Sequence, residues 1–186
     1  GLAGPGGEVG GQAPETNQAG PGTPLSLNEP LRMREIAERV YAVRGTPTDS
    51  VIMAARHVLK DRRPDLVLSG INRGANMAED VTYSGTVAGA FEGTQLGIPS
   101  IALSMAYSYA AGDHPHWQTP IAQAPALIRR LLTEPWPPLV LMNINFPGRL
   151  PDEVEGVMVT TQGRRDQQNL GVEERLDTWG NPYYWL

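Results

Sequence analysis

Hydrophobic and polar positions alternate in two rhythms along this chain. Residues 66–68 form a short apolar run closed by Ser69-Gly70, which predicts a buried strand. A polar stretch follows at 71–83, rich in Gly and Asn and without hydrophobic period. Behind Ser84-Gly85-Thr86, the residues Val87, Ala88, Ala90, Phe91 and Leu96 recur at helical spacing, Gly97 is placed to cap the helix, and Pro99 bars its continuation. Residues 100–104 return as an apolar strand. Strand, loop, helix, strand is a βαβ unit, so the two strands are expected to be parallel with a right-handed crossover.

The same rhythms place the other elements. Residues 25–27 and 31–34 are weak strand candidates on either side of the Asn28-Glu29-Pro30 turn, and 39–43 alternates as a further short strand. Thr46 is a helix cap, Pro47 fits the first helical position, and Asp49 reaches back from the first turn. Val51, Ala54, Ala55, Val58 and Leu59 then repeat at helical spacing to Lys60. Residues 121–132 predict an amphipathic helix that kinks at, or effectively starts near, Pro125. In the run 139–146, Val140, Met142, Ile144 and Phe146 share one face, while Leu141, Asn143 and Asn145 share the other. Residues 157–160 and those from Tyr183 onward are read as the last strands. The pattern predicts a three-layer, Rossmann-like α/β fold. Its mainly parallel central sheet is covered by helices near 47–60, 85–96 and 120–132.

Composition narrows the class. A chain of 186 residues with 40% hydrophobic content suits one core. Residues 1–24 contain eight Gly and four Pro and read as loop or disordered, leaving 25–186 as the single domain. The net charge of −5, without a Lys/Arg stripe, argues against a nucleic-acid polymer as partner. There is no cysteine, so neither a disulfide nor a thiolate metal site is available. No membrane span or leader is recognised, and a cytoplasmic protein is expected. The initial Gly and the final Tyr183-Tyr184-Trp185-Leu186 read as a chain incomplete or altered at both ends.

In open α/β sheets the ligand crevice lies beyond the C-terminal ends of the strands. Here Ser69, Gly70, Asn72, Asn76 and the Ser84-Gly85-Thr86 turn would line it. A helix N-terminus offers unpaired N–H groups to an anion, so Asn76, Ser84, Gly85 and Thr86 are candidates for phosphate binding. An ordinary N-cap at Ser84 and Asx turns at the asparagines are the alternative. His57 on the first helix and the His114/His116 pair lack further ligands nearby and are read as structural or exposed.

The segment from Ser69 to Gly93, SGINRGANMAEDVTYSGTVAGAFEG, closely resembles the signature of the survival-protein-E family of metal-dependent 5′/3′-nucleotidases. The resemblance runs from residue 14 to 186. It takes in Pro14-Glu15-Thr16-Asn17-Gln18-Ala19-Gly20, the Gly45-Thr46-Pro47-Thr48-Asp49 helix start and Asn143-Ile144-Asn145-Phe146-Pro147. It implies a hydrolase acting on nucleoside monophosphates and a divalent cation, Mg²⁺ or Mn²⁺. It also implies a homodimer or homotetramer for the complete protein, with Asn72 as a metal ligand and a minor role for Thr46 near the crevice. The other family ligands are an Asn-Asp-Asp motif and a loop serine. The motif occurs nowhere in this chain, and Ala19 stands at the serine position. Weak cation binding and little or no turnover are therefore expected. The alternative reading is a non-catalytic nucleotide- or phosphate-binding module.

Overall fold

The computed structural model describes residues 11–14, 25–107, 114–164 and 171–185. Its central sheet has three parallel strands in sequence order: β4 (Val67–Arg73), β5 (Ser100–Met105) and β6 (Met142–Phe146). Leu68 lies beside Ile101, and Ile101 beside Met142, so the two strands of the expected βαβ unit are neighbours. A second sheet holds β1 (Gly11–Pro14), β2 (Arg32–Ala37) and β3 (Val40–Arg44), with β1 parallel and β2 antiparallel to β3. The strands β7 (Glu173–Leu176) and β8 (Pro182–Trp185) form an antiparallel hairpin.

Strand alternation divides the central sheet into two faces. Ile101, Leu103, Met105 and Phe146 pack beneath α4 (Gln118–Thr133) against Ala124 and Ile128. Ala102 on the other face meets Val87 and Ala90 of α3 (Gly85–Gln95). Ile101, Met105 and Ile128 are at most 1% exposed, and burial on that scale stabilises the fold by about 1.5–3 kcal/mol per side chain. The locally three-layered arrangement is the Rossmann-like α/β fold that the sequence predicts. No helix among the described residues is long and apolar enough to cross a membrane.

Helix α1 (Pro47–Met53) starts as read, with a capping box between Thr46 and Asp49, and continues through a π-helical turn at Ala54–Val58. Several elements differ from expectation. β4 continues past Ser69-Gly70 to Arg73, and the loop behind it contains the short helix α2 (Asp80–Tyr83). Helix α4 begins at Gln118 and runs through Pro125. An interior proline costs about 3 kcal/mol, and burial of Ala124 and Ile128 on the sheet offsets it. Residues 25–27 and 157–160 form no strand, and Val157, Met158 and Val159 are largely exposed. Gly11–Pro14, by contrast, is a strand inside the glycine-rich segment, because β3 offers it a partner.

Candidate functional site

The site begins with an irregularity in β4. Ser69 pairs with Ala102 of β5, yet the next pair is Asn72 with Ser104, so β4 carries one extra residue. Such a bulge reverses the facing of everything after it. Without it Ile71 would sit beside Ser104 and Asn72 would face α4. With it, Ile71 joins the apolar cluster under α4 and Asn72 is placed on the α3 face. Gly70 permits this: its φ is +119°, and a Cβ there would collide with the carbonyl of Leu103.

Asn72, Ser104 and Asn145 are consecutive register partners across the three strands, so they form one polar row near the C-terminal ends. Asn76 is held over that row. Its Nδ2 donates to Ser104 Oγ at 2.6 Å and its backbone N–H to Asn145 Oδ1 at 2.8 Å. Its carbonyl accepts from Asn143 Nδ2 at 2.9 Å and from Asn145 Nδ2 at 3.2 Å. Ser104 is fully buried and Asn76 is 5% exposed. The Asn72 Nδ2 donates to the Gly74 carbonyl at 2.9 Å, which leaves the carboxamide oxygen as its other polar group.

Helix α3 brings its N-terminus to the same end of the sheet. A Cβ on Gly93 would lie 2.9 Å from Val67 Cβ, and one on Gly89 would lie 2.9 Å from Ser69 Oγ. The helix therefore runs antiparallel to β4. Four helical residues rise about 6 Å and two strand residues about 6.6 Å, so one further turn sets Gly85 beside residues 71–72. Ser84 Oγ accepts the Val87 N–H at 3.1 Å and so is an N-cap, as the alternative reading has it. Among the described residues the backbone N–H groups of Gly85 and Thr86 have no hydrogen-bond acceptor.

The start of α1 borders this region, since a Gly89 Cβ would lie 3.7 Å from Pro47 Cβ. Asp49, 2% exposed, anchors that start. Its carboxylate accepts from Thr46 N at 2.8 Å, Ser26 Oγ at 2.7 Å and Ser26 N at 3.1 Å. Burial pushes its pKa up, but the hydrogen bonds from Thr46 and Ser26 outweigh burial and hold it below the usual carboxylate value.

A hard divalent cation selects several oxygen donors, with carboxylates prominent among them. Here Asn72 supplies one neutral amide oxygen, and no group of three His, Asp or Glu suited to a metal is found among the described residues. Ala19 lies outside the described residues and has no side-chain oxygen. The donor set does not fit such an ion. His57 is exposed on the π-helical turn. The sequence pattern gives Ser104 no mark and assigns Asn143 and Asn145 a strand face but no role. Their partner Asn76 is 28 to 69 residues away, and only the parallel β4-β5-β6 order brings them together.

A parallel sheet between α3 and α4, with a polar row and a helix N-terminus at its C-terminal end, defines an α/β protein of the Rossmann-like class, in which ligands bind beyond the C-terminal ends of the strands. Comparison with known proteins specifies the family. The chain belongs to the survival protein SurE family, whose sequence model matches residues 2–169. That match begins well ahead of Pro14, where the similarity read from the residues starts, so the glycine-rich segment is also part of the family alignment. The chain is 59% identical over 174 residues to the 5′-nucleotidase SurE of Azorhizobium caulinodans, covering 94% of this chain and 68% of that protein. It is 57% identical to the 5′-nucleotidase SurE of Parvibaculum lavamentivorans, covering 63% of it. The chain thus spans roughly two thirds of the length of these relatives. The crystal structure of the SurE protein from Aquifex aeolicus superposes with a TM-score of 0.81 at 40% identity, covering 94% of this chain and 68% of that one.

Proposed function

We propose that this chain carries the substrate site of a phosphomonoesterase that converts nucleoside 5′- or 3′-monophosphates to nucleoside and phosphate. The observation that carries the reading is the polar row Asn72–Ser104–Asn145, with Asn76 fixed above it and the α3 N-terminus beside it. In this reading the N–H groups of Gly85 and Thr86 donate to phosphate oxygens, where the helix dipole favours negative charge. The Ser84 hydroxyl keeps its own hydrogen for donation while its oxygen accepts from Val87. Asn76 Nδ2 carries a second hydrogen beyond the one given to Ser104. In this reading the site works in the cytoplasm, and the complete protein is a homodimer or homotetramer.

In the family a divalent cation, Mg²⁺ or Mn²⁺, supplies charge neutralisation and a polarised water. Asn72 is the residue of this chain assigned to it. One amide oxygen compensates little of the cost of dehydrating such an ion, so we assign binding and orientation of the phosphate to the residues present and expect little turnover. The lack of a carboxylate cluster among the described residues favours, as second reading, a non-catalytic nucleotide- or phosphate-binding module.

Two measurements on the same preparation separate these readings. One is calorimetric titration with adenosine monophosphate in EDTA, and the other is phosphate release from that nucleotide with Mg²⁺ or Mn²⁺. Binding with metal-dependent release makes the chain an active enzyme and overturns the donor-set argument. Binding with at most a trace of metal-dependent release fits the substrate site with its metal donors missing, binding with no release favours the module, and no binding removes both.

A further inference from the structure

We propose that Asn143 and Asn145 are positioning residues that act through Asn76 and so set the orientation of the bound phosphate without touching it. The inference rests on the reading of Asn76 as a phosphate ligand. Asn76 belongs to the loop between β4 and α2, outside any strand or helix that could satisfy its backbone. Buried backbone groups need partners, and both of its groups find them in side chains of β6. The N–H goes to Asn145 Oδ1, and the carbonyl receives Asn143 Nδ2 and Asn145 Nδ2. One residue is therefore gripped at donor and acceptor alike by two carboxamides that follow it by 67 and 69 positions.

The chemistry of β6 changes where this grip begins. On the α3 face Leu141 packs against the apolar cluster of Val87, Ala90 and Ala102, and the next two positions on that face are Asn143 and Asn145. On the opposite face the strand stays apolar to its end, with Met142, Ile144 and Phe146 under α4. A strand needing only to fill the core would continue its leucine-like pattern on both faces, as strands buried on both sides do. The switch to asparagine coincides with the polar row and with Asn76. The side chain so held is the one that donates to Ser104 and carries a further N–H for a ligand. Orientation of this kind is sensitive to displacements of an ångström or less.

The test uses Asn145→Leu and, as the milder variant, Asn143→Leu, which leaves the Asn76 N–H bond in place. Amide hydrogen exchange at Asn76 reads the grip directly and needs no ligand. Titrations with adenosine monophosphate and with inorganic phosphate read its consequence. Asn145→Leu is expected to accelerate exchange at Asn76 at least about 10-fold and to weaken both ligands by a similar factor, about 10-fold. Asn143→Leu should show a smaller loss of both ligands. A loss of phosphate affinity that follows the exchange rate at Asn76 across the two variants, and not their urea midpoints, is a readout that a merely structural role would not produce. Unchanged exchange at Asn76, or faster exchange with unchanged phosphate affinity, would overturn the proposal. If the unmodified chain binds neither ligand, the phosphate reading of the site fails. The exchange rates then still decide whether the two asparagines hold Asn76.

Discussion

Asn76 donates its carboxamide hydrogen to the buried hydroxyl of Ser104 across 2.6 Å, tying the loop after β4 to the middle strand of the sheet. Ser104 is in turn the register partner of Asn72 on one side and Asn145 on the other. Ser104→Ala removes the acceptor and leaves a buried amide donor without it, at a cost of about 1–3 kcal/mol. Urea denaturation is expected to show a lowered midpoint with an unchanged slope, since the folded state keeps its compactness.

Gly70 is the residue on which the facing of Asn72 depends. Its φ of +119° is one that L side chains rarely adopt, and the Leu103 carbonyl occupies the space of a Cβ. Gly70→Ala should destabilise the fold by at least about 2 kcal/mol and weaken nucleotide binding in molecules that still fold. Gly156→Ala is the control: it meets no atom within 4 Å and should be close to neutral.

Asp49 gives a prediction with a definite sign. Its folded-state pKa lies below the ordinary value, so the carboxylate stabilises the fold at pH above the unfolded-state pKa, about 3.9. That contribution is lost as the pH falls through the lower, folded-state value. Asp49→Asn should cost about 2–3 kcal/mol near neutral pH, through the weakened cap and the lost charge-assisted bonds from Ser26 and Thr46. Below about pH 4 the gap between the two proteins should close progressively. Thermal melts of both across that range check it.

Much of this was legible in the sequence where the governing interactions are local. Thr46, Pro47 and Asp49 lie within four residues of one another, and their cap forms as read. The alternation of β6 assigned both of its faces correctly. Tertiary contacts decided the rest. Gly70 looks like the end of a strand, and only the β5 partner makes it a bulge inside one. Pro125 reads as a kink or a helix start, and of the two the start is excluded, because the sheet beneath Ala124 and Ile128 carries the helix through it. Residues 157–160 are β-prone but have no paired strand among the described residues, and Val159 is 98% exposed. The gripping of Asn76 needs residues 67 and 69 positions away and leaves no local trace.

Turnover has its own test. The chain should release little or no phosphate from adenosine monophosphate, with or without Mn²⁺. A version carrying Ala19→Ser and a family-like first strand with Asn-Asp-Asp should regain metal-dependent release, because carboxylates then join Asn72 as donors. Robust metal-dependent turnover by the unmodified chain would contradict the donor-set argument.

The most direct test of the central claim is residue-resolved. Adenosine monophosphate is titrated into ¹⁵N-labelled protein in EDTA while the backbone amide resonances are followed. Saturable shifts that are largest at Gly85, Thr86 and Asn76 are predicted, with inorganic phosphate moving the same amides. Shifts centred elsewhere, or none at millimolar nucleotide, would contradict the assignment of the phosphate to this end of the sheet.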